Sequence, residues 1–155
     1  MSNQYQCKYL TKSKLKTFLA IANRIIPEDE FSKGGGTMQT AGIVDWSMEK
    51  MDPSIRSQVL LLISVMEVLG FIFGLRPFSK NSSKAQDRQL RWMENNPIPL
   101  LRMGFFGLKT FVCMGYYTQK DVWATMNYSG PIMNQRTYPD TTIRWICDGE
   151  MEVVG

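Results

Sequence analysis

The chain contains no histidine. That absence removes the commonest general acid and base, the Ser-His and Cys-His nucleophile systems, most zinc sites and the usual haem ligands together. Cysteine is scarce as well. Cys7, Cys113 and Cys147 lie far apart, with no pair at metal-ligand spacing and no Cys-x-x-Cys, so their spacing implies neither a metal knot nor an internal disulfide framework. Cys113, inside an apolar helical run, reads as a small buried hydrophobe. Charge of one sign is also weak: 18 basic against 14 acidic residues give a formal +4, too little for nucleic-acid binding without a clustered stripe. The basic cluster that stands out, Lys8, Lys12, Lys14 and Lys16, is short and fits the solvated start of a helix.

Long apolar runs are missing too. Val59 to Leu75 is nearly all apolar but carries Glu67 at its middle and spans only 17 residues. A membrane span needs about 20 residues, so a buried helix is expected and no direct membrane insertion. The first ten residues hold neither twin arginines nor an apolar core with a small-residue cleavage site, which makes the cytoplasm the expected location, or the periplasm if a partner carries the export signal or the sequence has been trimmed. The acidic turn Glu28-Asp29-Glu30 has no apolar pocket around it, and Asp45 with Glu49 makes only half of a metal site. Both are expected to be solvated.

What the chain does have is bulk. It carries 11 Met, 8 Phe, 6 Tyr and 4 Trp in 155 residues, and a single domain of that length buries about 68–70% of its unfolded surface. The pattern is helical. Leu15, Phe18, Leu19, Ala22, Ile25 and Ile26 form one stripe on a helix that begins near Lys12 and stops at Pro27. Gly34-Gly35-Gly36 reads as a flexible joint, since no strand precedes it and no Lys-Ser/Thr follows it. A second helix is expected from Thr40 to Met51, with Asp45, Glu49 and Lys50 outward.

Asp52-Pro53 caps a third, core helix through Phe73 with almost no polar side, which must be covered from several directions by its own domain or by a partner. Ser83 and Gln86 form a capping box for a fourth helix ending at Glu94. A fifth, from about Leu100 to Met114, is apolar nearly all round and is expected to pack on the third. The fold class is therefore all-α: a compact bundle of about five helices over 1–131, with an extended, irregular arm over 132–155 in which Thr141–Trp145 alternates weakly as a strand would.

Aromatic residues concentrate after the fifth helix, where Met114 to Pro131 includes Tyr116, Tyr117, Trp123 and Tyr128 beside two glycines. Such a block either closes the core or faces another protein, where Tyr and Trp supply contact area at low entropic cost. Arg76 and Phe78, in the turn between two apolar helices, divide the same way: Phe78 plugs the core end or joins Arg76 at a partner's surface. The candidate interface is thus Arg76, Phe78, Tyr116, Tyr117, Trp123 and Tyr128, with Trp145 and Cys147 of the arm. Cys147 could bond to another chain. No catalytic, cofactor-binding or metal-ligating residue is expected.

The order of several short motifs is informative. Ala22-Asn-Arg-Ile-Ile-Pro-Glu-Asp-Glu30 is followed by the glycine joint, Ala41-Gly-Ile-Val-Asp45, Arg76-Pro-Phe-Ser79, Gly115-Tyr-Tyr117 and Tyr128-Ser-Gly-Pro131. In this order, over residues 13 to 131, the chain resembles the gluconate 2-dehydrogenase subunit 3 family, the small subunits of FAD-dependent sugar and polyol dehydrogenases. The resemblance implies a noncatalytic, chaperone-like helical chain that stabilises and helps mature a large catalytic subunit of the glucose-methanol-choline type. FAD and the catalytic histidine would sit in that partner, with no cofactor in this chain. Many members of the family carry a twin-arginine signal, which is absent here. A free-standing helical adaptor that uses the same aromatic block on an unrelated partner is the alternative.

Overall fold

The computed structural model describes residues 4–130 and 144–146, with side chains from Cys7 to Gly130. The chain runs β1 (Gln4–Gln6), α1 (Lys12–Ile25), α2 (Met38–Glu49), α3 (Pro53–Gly74), a 3-10 turn (Phe78–Lys80), α4 (Ser83–Glu94), α5 (Pro99–Tyr117), α6 (Lys120–Thr125) and β2 (Arg144–Ile146). The all-α class holds, with five substantial helices and the short α6. The weak alternation before Trp145 finds its partner at the other end of the chain: β2 runs parallel to β1, with Gln4 opposite Arg144, Tyr5 opposite Trp145 and Gln6 opposite Ile146.

α1 packs against α2, α3, α4, α5 and the 3-10 turn, whereas only Ile63, Met66 and Gly70 of the 22 residues of α3 are buried. Phe18, Ile21 and Ala22 on α1 meet Ala41, Val44 and Met48 of α2, Ile63 and Met66 of α3, Leu90 and Met93 of α4, and Leu108 and Val112 of α5 in one buried cluster. This corrects the expectation that α3 is the core helix. It also corrects the pairing of α5, which packs chiefly on α2 and α4 and touches α3 more lightly. The α2–α5 seam is fixed by a buried amide: Gln119 Nε2 donates to Thr40 Oγ1 and to the Gly115 carbonyl, at 2.9 Å each.

Two polar readings change. Asp45 is fully buried rather than outward. Its Oδ1 accepts from the backbone N–H of Tyr9 (2.9 Å) and Leu10 (2.7 Å), and its Oδ2 from that of Lys8 (2.8 Å). One carboxylate therefore holds the segment after β1 against α2, because three backbone donors that have left a strand need an acceptor once buried. On the surface beside it, Lys8 donates to Glu49 at 2.6 Å, which holds the Glu49 carboxyl below the usual carboxylate range.

The glycine joint is not loose either. Gly35 donates its N–H to the Ile26 carbonyl at 2.8 Å, and a Cβ there would lie 2.9 Å from the Ala22 carbonyl oxygen. The glycines are needed for backbone-on-backbone contact with the end of α1.

Helix starts follow the caps with one exception. Asp52 accepts from Ser54 N ahead of Pro53, as expected. For α4 the cap is Ser82, accepting from Ala85 N, and Gln86 does not close a box. Instead Gln86 Nε2 donates to the Phe78 carbonyl at 2.7 Å, since a buried carbonyl at the start of the 3-10 turn makes the stronger claim on it. Among the cysteines, Cys7 is buried and disulfide-bonded while Cys113 is free. The expectation of no disulfide fails because spacing along the chain does not report which positions the fold brings together.

Candidate partner-docking surface

The site is built on α3. Along its 22 residues, Ile63, Met66 and Gly70 are buried, and this face packs against α1, the 3-10 turn and α4. Its rotation is fixed by Glu67, whose carboxylate accepts from Thr17 Oγ1 (3.0 Å), Ser79 N (3.0 Å) and Ser79 Oγ (2.6 Å). With Glu67 turned into the domain, the opposite face must point away. That face consists of Leu61, Val65, Val68, Ile72 and Leu75, all exposed, at alternating steps of four and three residues, the period of a continuous helical stripe.

The expectation that Val59–Leu75 is buried therefore fails over half of the helix circumference. The α3 sequence is long and apolar enough to cross a membrane by length and composition, and 22% of its most apolar window is buried. The helix has two apolar faces, and the bundle has helices to cover only one.

α5 extends the exposed apolar surface. Phe105, Leu108 and Val112 face the core, whereas Leu100, Met103 and Phe106 are exposed. Gly104 lies against the Leu62 side chain, which makes the first half of α5 a neighbour of the middle of α3. Exposed apolar surface on neighbouring helices makes this face the candidate docking surface.

The residues singled out from sequence divide. Phe78 is 0% exposed and closes the core between α1 and α3, so it offers no contact to a partner. Tyr116 is 6% exposed, and its hydroxyl makes a short hydrogen bond with Ser32 Oγ. These two belong to the interior, the first of the two roles considered for each. Arg76, Tyr117 and Tyr128 are exposed. Trp123 donates from Nε1 to the Tyr117 carbonyl at 2.5 Å and meets the Tyr128 ring edge-on, with centroids 5.7 Å apart. Much of the aromatic block thus folds on itself to close the end of α5. For Trp145 the structure gives only the backbone pairing in β2, and Cys147 lies outside the described residues.

Sequence reasoning passed over Leu61, Val65, Val68, Leu100, Met103 and Phe106. The signal was there, in apolar positions on both sides of one helix, but a sequence does not reveal which side finds a neighbour.

It also passed over a second basic group. Arg76, Lys80, Lys84, Arg88 and Arg91 are all exposed. A cleft of about 310 Å³ near them is lined by Arg24, Asp87, Arg91, Glu94 and Lys109. Its best-defined contact is internal: Arg24 Nε and a terminal nitrogen donate to the two Asp87 carboxylate oxygens at 2.7 and 2.8 Å, which raises the arginine's pKa further. That pair joins α1 to α4 and leaves little for a ligand.

No family model, curated protein or solved structure matches the chain.

Proposed function

We propose that this chain is a noncatalytic helical subunit that completes and stabilises a larger catalytic chain, an FAD-dependent dehydrogenase of the glucose-methanol-choline type acting on a sugar, glycoside or cyclic alcohol. The observation that carries the docking part of this reading is the exposed face of α3 and α5, centred on Leu61, Val65, Val68 and Met103. A domain that leaves such a face in water gains about 25 cal/mol for each Å² that a partner covers. The identity of the partner rests on the motif order from Ala22 to Pro131. The absence of histidine fits a chain whose complex does its acid–base chemistry elsewhere. In this reading the flavin belongs wholly to the partner.

The test is purification of the tagged chain from its native host. The expected product is a yellow complex that releases FAD on denaturation. A colourless complex favours the adaptor reading, and a stable monodisperse monomer defeats both. Leu61→Glu combined with Val68→Glu is expected to weaken the complex by at least about 100-fold, because each carboxylate would be buried unpaired at a desolvated interface. Both positions are exposed in the free chain, so circular dichroism and the unfolding midpoint should stay close to those of the unsubstituted protein.

A further inference from the structure

One end of α3 differs from the rest of its exposed face. There the apolar residues Phe71, Ile72 (75% exposed) and Leu75 (86% exposed) stand out from the bundle, with Trp92 of α4 also exposed. The Trp92 ring lies 5.6 Å from that of Phe73, which places it beside the end of α3. Leu75 caps α3 in the left-handed conformation, at φ 60°. Glycine or asparagine serves that position with less strain, so nothing in the cap itself calls for a large apolar side chain turned to solvent.

Around this tip basic residues predominate. Arg76, Lys80, Lys84, Arg88 and Arg91 are exposed, and Arg88 makes a short hydrogen bond to the Phe73 carbonyl, which fixes α4's basic edge to the same end. The acid within this stretch, Asp87, is engaged by Arg24. Five basic residues against one acid account for the whole formal +4 of the chain, so the rest of the molecule is balanced.

We infer that this end of α3 and the outer edge of α4 form a peripheral docking surface for an anionic lipid bilayer. The chemistry matches on both counts. Basic side chains near an anionic leaflet each contribute about 1 kcal/mol, while protruding aliphatic side chains and a tryptophan enter the boundary between headgroups and acyl chains. A protein partner would have to offer a pocket shaped to Ile72 and Leu75, whereas a bilayer accepts a convex apolar tip without one. The contact is peripheral and not spanning, because Ile63, Met66 and Gly70 are packed in the core and Glu67 is bonded to Thr17 and Ser79. α3 cannot leave the bundle without breaking them. This surface is the far end of the same α3 stripe, beyond Val68, and the inference does not depend on the partner's identity.

The test is flotation of the full chain with phosphatidylcholine vesicles, with and without phosphatidylserine, at low and high salt. Binding to the anionic vesicles, reversed by salt, is expected. Lys80→Gln with Lys84→Gln and Arg91→Gln should weaken it about 100-fold. Leu75→Asn, which suits the cap, combined with Ile72→Ser should abolish it without lowering the unfolding midpoint, whereas Leu61→Ser should leave it unchanged. No binding to anionic vesicles overturns the inference, as does equal and salt-independent binding to neutral ones. Polyglutamate serves as an acidic-polypeptide probe: capture of it without capture of vesicles overturns the inference in favour of an acidic protein.

Discussion

Gly70→Ala is expected to lower the unfolding midpoint sharply, although the same exchange in an ordinary helix interior stabilises by about 0.5–1 kcal/mol. The sign reverses because α3 and the turn that follows it touch backbone to backbone. A Cβ on Gly70 would clash with the Phe78 amide nitrogen and lie 2.7 Å from both Phe78 Cα and the Pro77 carbonyl carbon. Phe78 cannot retreat. It is fully buried, its carbonyl accepts from Gln86, and Asn81 next to it donates to the Gly70 carbonyl at 2.8 Å and to the Arg76 carbonyl at 2.9 Å. Relief requires moving the whole turn from Arg76 to Asn81, at a cost of more than about 3 kcal/mol, a large part of the 5–15 kcal/mol that holds a domain together. Gly107 is the control, since a Cβ there meets nothing within 4 Å. Gly107→Ala is expected to raise the midpoint of urea unfolding, and loss of stability in both variants to the same degree would remove the steric account.

Asp45→Ala is expected to cost about 3–5 kcal/mol. The substitution strands the N–H groups of Lys8, Tyr9 and Leu10, of which that of Leu10 is buried. Asp45→Asn should cost less. An amide oxygen in place of Oδ1 still serves Tyr9 and Leu10, while the amide nitrogen in place of Oδ2 opposes the Lys8 donor. Hydrogen exchange at residues 8–10 reads this directly: the largest loss of protection is expected at those amides, and unchanged protection in the alanine variant would show that Asp45 does not hold the segment. The loss should spread to Arg56, whose guanidinium lies 4.4 Å from the centre of the Tyr9 ring and donates to the Tyr9 hydroxyl and the Met48 carbonyl.

Asp45 also shows where sequence reading stops. On a helical wheel it belongs with Glu49 and Lys50, and nothing local distinguishes a solvated carboxylate from one that will meet three backbone donors from another segment. Gln86 is a similar case, read as a cap because Ser83 precedes it but claimed by Phe78. The helices themselves were legible, because the evidence for them is local: Pro27 after Ile26, Asp52 before Pro53, and Asn95-Asn-Pro97 after Glu94. The burial of α3 was not, since it is more apolar than α1 yet has only Ile63, Met66 and Gly70 buried. Hydrophobicity shows how much surface needs covering, while the short connections decide which helix gets covered. The same reason explains the site. Tyr117 and Tyr128 were singled out because clustered aromatics at and after a helix end stand out, and both are exposed, whereas Leu61 and Met103 look like core residues until the bundle turns them outward.

The pairing of Gln4–Gln6 with Arg144–Ile146 has a practical consequence for handling the protein. Two segments far apart in sequence meet in one ladder, so a cut or deletion that removes either strand leaves the other without its partner. Expression designs for this chain are best compared as pairs of ends and not one end at a time.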